Sequence, residues 1–234
     1  MLNEGPTRPS ATALKTPATP PTRIQRNVLA AAERRLLNWV CPRLPAWTTP
    51  NQLTSLGFIG ALLVVAGYVL SWLSAAWLAA SVFGYIIHWF GDSLDGSLAR
   101  WRRIERPSYG YFVDHSVDAL ATLLMVGGIG LSPYMRLDVA LIAVIGYLLL
   151  SIHSFLAAKV VGEFRLSYLA GGPTELRLML IAMTIAMPLV GPGMVRETPF
   201  SGFDLFALLI SSILIALFIL QSLSTARQLS GRTD

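Results

Sequence analysis

The chain is read as an all-α membrane protein of six transmembrane helices preceded by an N-terminal interfacial amphipathic helix, and three observations predict it. Of its 234 residues, 54% are apolar and only 13% carry charge, which lies outside the range of soluble domains. Six apolar segments are read as crossings of the hydrocarbon core, which is about 30 Å thick and takes about 1.5 Å of helix per residue. The Lys and Arg residues fall on one set of loops: sixteen lie before the first segment, in the second and fourth connector regions and in the tail, against Arg136 and Arg196 on the other side. By the positive-inside rule both termini face the cytosol.

Residues 1–22 are rich in Pro, Thr and Ala and hold too little apolar surface to offset ordering entropy, so a disordered cytosolic tail is expected there. Residues 23–47 follow as an interfacial amphipathic helix and bend. Ile24, Val28, Leu29, Leu36, Leu37 and Val40 alternate with Arg23, Arg26, Arg34 and Arg35, and Pro42 and Pro45 then turn the chain between Trp39 and Trp47 at headgroup depth. A helix packed on its own protein explains the same spacing equally well.

The membrane domain spans 48–227. Its segments are Gln52 to Trp72, Ala75 to Arg102, Ser108 to Leu131, Leu137 to Lys159, Glu175 to Val190 and Phe203 to Arg227, with 228–234 left as a cytosolic tail. Pro107 breaks any continuous helix between the second and third. Pro188, Gly191, Pro192 and Gly193 end the fifth. Cys41 is the single cysteine, which excludes an internal disulfide and a cysteine-rich metal site. The net charge of +5 is spread over loops and ends, so nucleic acid is not an expected partner and the membrane surface is.

Four aspartates interrupt this apolar background. Asp92 and Asp95 share a helix face with Gly96 and Ala99, and Asp114 and Asp118 are one turn apart on the next helix. Carboxylates beside hydrocarbon are costly unless paired or bound to metal, so the cluster marks a functional site. An all-oxygen donor set suits two hard divalent cations, Mg²⁺ or Mn²⁺. Acidic residues on membrane helices also occur in cation channels and transporters, the alternative reading.

The pattern Asp92-x2-Asp95-Gly96-x2-Ala99-Arg100-x9-Gly110-x3-Asp114-x3-Asp118 resembles the signature of the CDP-alcohol phosphotransferase family, and Thr49-Pro50-Asn51-Gln52-Leu53-Thr54 is similar to the start of that family's first membrane helix. The resemblance implies transfer of a substituted phosphate from a CDP-linked donor to an alcohol acceptor, one of them a lipid, with release of CMP. It implies Asp92, Asp95 and Asp114 as metal ligands, Asp118 as general base beside the metals, and Gly96, Ala99, Arg100 and Gly110 around the cytidine nucleotide. His115 fits the Asp-His-x-x-Asp form of the choline and ethanolamine branch. Glu163, with the Gly-Pro-x-Glu segment ending at Glu175, is similar to a further stretch of that branch, which makes these three residues candidates for acceptor or headgroup contacts. His88 and His153 are expected to be satisfied polar residues. Family likeness further suggests a homodimer, for which Gly127, Gly128 and Gly130 permit close helix contact.

Overall fold

A computed structural model describes residues 22–24, 30–161, 163–165, 173–194 and 198–231. The described chain is dominated by helices: α1 Ala30–Val40, α2 Pro50–Leu70, α3 Leu78–Arg102, α4 Pro107–Gly130, α5 Leu137–Val160, α6 Pro173–Val190 and α7 Gly202–Ser230. Two three-residue strands, β1 Thr22–Ile24 and β2 Glu163–Arg165, pair in parallel.

The starts of α2, α4, α6 and α7 coincide with caps or prolines in the sequence. Thr49 and Gln52 form a reciprocal capping box at α2, with the Thr49 backbone N–H donating to Gln52 Oε1 at 2.8 Å and Pro50 at the first helical position. Pro107 takes the first position of α4 in the same way. Ser201 and Asp204 cap α7, and Asp204 Oδ1 also accepts from the Arg136 backbone N–H at 2.8 Å, tying α7 to the start of α5. Helix α6 stops at Val190, after Pro188, where Gly191 takes a positive φ of 79°.

Against the six spans expected, five of the described helices are long and apolar enough to cross a membrane: α2, α4, α5, α6 and α7. Helix α3 departs from it. It has 25 residues, but its apolar run ends at Gly91 and its last eleven residues carry Asp92, Asp95, Arg100 and Arg102. Large side chains such as Ile59, Phe83, Ile86, Ile145, Ile152, Leu209 and Leu220 point outward, a surface suited to lipid tails and untenable in water. At the N-terminal side the helix occupies only Ala30–Val40. Arg23 and Ile24 lie instead in β1, whose backbone pairs with β2. The expected tail before Thr22 lies outside the described residues, and α7 continues to Ser230, through the residues expected to begin the C-terminal tail.

Helices α2 and α3 pack backbone to backbone. A Cβ on Gly60 would stand 2.5 Å from the His88 backbone nitrogen, and one on Gly91 would stand 2.4 Å from the Gly57 backbone nitrogen. This seam fixes the depth and rotation of α3, hence the direction in which its aspartates project. Behind it, Tyr68 of α2, Tyr85 of α3 and Thr184 of α6 join their hydroxyls in a buried cluster. Two of the glycines considered for a dimer contact are used within the chain. A Cβ on Gly128 would press on Val65 at 3.2 Å and one on Gly130 would reach Leu137 at 2.7 Å, while Gly127 leaves room.

Candidate active site

The acidic residues come from two consecutive helices joined by a four-residue turn. Arg103 closes α3 in the left-handed region at φ 56°, Ile104 donates its backbone N–H to Ala99 O at 3.0 Å, and Pro107 opens α4. Arg102 anchors this end of α3. Its guanidinium donates to the carbonyls of Pro45 at 2.8 Å and Ala46 at 3.2 Å and also to Thr48 O, so the bend before α2 is held by an arginine of α3.

Asp118 is the meeting point. Its carboxyl group lies close to that of Asp92, across the α3–α4 gap, and to that of Asp114, one turn away. Asp114, His115 and Asp118 each offer a ligand atom within 4.8 Å of the others, a group of a size to hold one metal ion. His115 Nδ1 is 3.6 Å from Asp114, and its ring packs edge-on to Tyr111 with centroids 4.3 Å apart and against Phe155 at 5.0 Å.

The other two aspartates of the signature lie on α3. Asp92 pairs with Arg177 of α6, whose side chain is almost wholly buried. Asp95, 9% exposed, accepts a 2.6 Å hydrogen bond from Thr54 Oγ1 of α2. Thus the sequence pattern is assembled in space, with Arg177 from outside it as the cation at Asp92. Arg100 is exposed and donates to Ser97 at 3.2 Å. Gly110 has open space where a side chain would be. A Cβ on Gly96 would meet only the Arg100 guanidinium, at 3.3 Å, so both glycines leave room beside the carboxylates.

Arg177 is the functional residue that sequence reasoning missed. Charge counting places it with the cytosolic loops, yet it is the fifth residue of an apolar helix, a position at which a charge is expected to face a partner in the bundle. With His88, Asp118, Thr122 and Tyr147 it lines a cavity of about 30 Å³ behind the carboxylates. His88 is buried, and among the described residues neither of its ring nitrogens has a hydrogen-bond partner, contrary to the expectation of a satisfied histidine. His153 does have a partner, Ser222 Oγ of α7 at 3.3 Å. Glu175 lies half-buried in the first turn of α6. Glu163 falls in β2, and its side chain lies outside the described residues, as do Gly171 and Gly172.

This geometry can be set beside known proteins. The profile of the CDP-alcohol phosphatidyltransferase family matches residues 47–220, which takes in α2 to α6, most of α7 and every aspartate of the cluster. The chain belongs to that family. It is similar to an archaetidylinositol phosphate synthase of Pyrococcus horikoshii, 32% identical over 115 residues, which are 49% of this chain and 57% of that protein. It is also similar to cholinephosphotransferase 1 of Danio rerio, 28% identical over 122 residues, or 45% of this chain and 31% of that one. The chain therefore aligns with little more than half the length of the first relative and a third of the second. The match gives no support to a channel or transporter.

Proposed function

We propose that the chain is a CDP-alcohol phosphotransferase of phospholipid synthesis, multi-pass in the membrane with both termini and the active site on the cytosolic side. It moves a substituted phosphate from a CDP-linked donor to an alcohol and releases CMP. The observation that carries this reading is the convergence of Asp92, Asp114 and Asp118 from two helices in the signature spacing. The donor set, carboxylate oxygens with one imidazole beside them, fits hard divalent cations, Mg²⁺ or Mn²⁺, and Asp92, Asp95, Asp114 and Asp118 are the residues assigned to two of them. When bound, such cations neutralise the donor's phosphates and the charge developing on the leaving group.

The chain's own groups then have separable tasks. Asp118 takes the proton of the attacking hydroxyl as its oxygen bonds to phosphorus, and the bond from phosphorus to the CMP oxygen breaks. Gly96, Ala99 and Gly110 leave the nucleotide room to approach the backbone, and Arg100, exposed at the rim, supplies charge for its phosphates. His115, wedged between Tyr111 and Phe155, and Glu163 and Glu175 are assigned to the acceptor or headgroup.

The donor is either CDP-diacylglycerol attacked by a small polar alcohol or a CDP-aminoalcohol attacked by a lipid hydroxyl. Incubating membranes that contain the chain with labelled CDP-diacylglycerol or CDP-choline, each with a panel of acceptors, identifies the product lipid. CMP release that needs Mg²⁺ or Mn²⁺ and stops on chelation is the expected result. Turnover in excess chelator, or none with any CDP-linked donor, overturns the reading.

A further inference from the structure

The site is tied together from outside the motif by one carboxylate of α1. Glu33 Oε1 accepts hydrogen bonds from Trp89 Nε1 at 2.9 Å and Ser93 Oγ at 3.1 Å, both on α3, and the Thr174 hydroxyl of α6 reaches both carboxylate oxygens at 3.1 and 3.0 Å. Ser93 is the neighbour of Asp92, and Thr174 lies about one helical turn before Arg177. The two helices that Glu33 bridges are therefore the two that the Asp92–Arg177 pair bridges. Thr174 is also in the first turn of α6, where a carboxylate is favoured by the helix dipole and by unsatisfied backbone N–H groups. Below it, Leu37 and Cys41 bury themselves against Leu53, Leu94 and Leu98, so α1 is seated on the bundle by apolar contact as well.

We infer that Glu33 is a positioning residue: it fixes the N-terminal turn of α6 against α3 and so holds Arg177 at Asp92, making α1 part of the reaction unit and not only a surface anchor. This rests on the proposed function for its catalytic consequence, though not for its geometry. A carboxylate is suited to the task because it presents only acceptors and three donors converge on it, two of them from one helix and one from another. A glutamine keeps an acceptor oxygen for α3 and can donate to the Thr174 hydroxyl oxygen, whereas alanine severs both links.

The test pairs a distance with a rate. Spin labels at Trp101→Cys on α3 and Leu178→Cys on α6, both exposed positions, in a Cys41→Ala background, report the α3–α6 separation in lipid nanodiscs. Glu33→Ala is expected to lengthen or broaden that distance and to lower kcat about tenfold to 10²-fold at saturating donor and acceptor, the scale of a misplacement of about 1 Å. Its donor KM should change less than about threefold, and Glu33→Gln should restore both the distance and the rate. Thr174→Val, which removes one hydroxyl, should reproduce the alanine variant and carries the test if Glu33→Ala does not fold. An unchanged distance in Glu33→Ala and Thr174→Val, or a changed distance with wild-type kcat, overturns the inference. If the wild type turns over no CDP-linked donor, the proposed function fails by itself, and the distance still decides whether Glu33 holds the helices.

Discussion

Helix α3 is gripped on two sides in opposite ways. Toward α2 the contact is largely backbone on backbone, with Gly57, Gly60, Gly84 and Gly91 letting the two helices touch, and Thr54 on Asp95 adds a polar link at the site end. Toward α6 it is tied through polar side chains, directly by Arg177 on Asp92 and indirectly by Glu33 of α1, which accepts from Thr174 on one side and from Trp89 and Ser93 on the other. At Gly60, Gly84 and Gly91 the first seam leaves no room for a Cβ. The second depends on charge and can be loosened or tightened. A helix that carries the carboxylates thus has one rigid face that sets its place and one adjustable face where a reactant can compete for contacts.

Breaking the rigid seam should have the largest effect. Gly60→Leu drives a side chain into the α3 backbone, where the Gly84 carbonyl oxygen is already 2.8 Å from a Cβ, and backbone cannot move aside as a flexible side chain does. The expected outcome is no monodisperse protein on gel filtration in detergent. Gly110→Ala is the control, since nothing lies within 4 Å of its Cβ, and it should fold normally. A folded, active Gly60→Leu protein would mean that α2 and α3 are not in backbone contact.

The carboxylates between the two seams come next. Asp118→Asn should keep metal-dependent CMP binding while transfer falls by roughly 10²–10⁴-fold, the usual worth of a general base. Asp95→Asn should instead weaken that binding, because an amide is a poorer ligand for a hard cation. Binding and rate are measured separately in both variants. Equal losses of CMP affinity would make Asp118 chiefly a ligand and remove it as the base.

A smaller effect is expected from the adjustable seam. Arg177→Ala leaves Asp92 in a poorly solvated place without its counter-charge, which costs about 3–5 kcal/mol when such a pair is broken from one side. Thermal unfolding in chelator should show the loss, and Asp92→Asn combined with Arg177→Met should recover most of it. Addition of Mg²⁺ should narrow the gap for Arg177→Ala, since a cation bound at Asp92 replaces the guanidinium. A single variant as stable as wild type would show that the pair contributes nothing to holding α6.

The same contrast explains what can be read in advance. Helix ends are legible because capping residues, prolines and the Gly191 stop act within one or two turns of themselves, and the faces bearing Asp92, Asp95, Asp114 and Asp118 follow from helical spacing alone. Arg177 is not legible as a site residue, because counting charges for topology assigns an arginine near a helix end to the headgroups, and only the fold shows it pointing inward. Glu33 is hidden for a related reason: its partners lie 56 to 141 residues away along the chain, on two helices. The pairing of Thr22–Ile24 with Glu163–Arg165 is equally non-local, and the amphipathic pattern across it suggests helix instead.

The smallest effect probes the third contact of α3, that with α1. Cys41 is 2% exposed in the cluster with Leu37, Leu53, Leu94 and Leu98, and burial pushes its thiol above the ordinary 9.0, although Arg100 and Arg102 pull the other way. The thiolate is the nucleophile, so a raised value means a smaller reactive fraction at neutral pH, and access is restricted as well. Labelling of the native protein by a maleimide or iodoacetamide should therefore be slower than that of the unfolded chain. Its rate should still be rising steeply at the pH where an ordinary thiol is already half ionised. Loosening α1 should reverse both features: in Glu33→Ala the labelling rate should rise, and its midpoint should move down toward the ordinary value. Such a change, seen while the α2–α3 seam stays intact, would separate α1 docking from the integrity of the bundle. A wild-type midpoint at or below the ordinary value would show that the arginines outweigh burial and that α1 sits more loosely on α3 than its apolar contacts indicate.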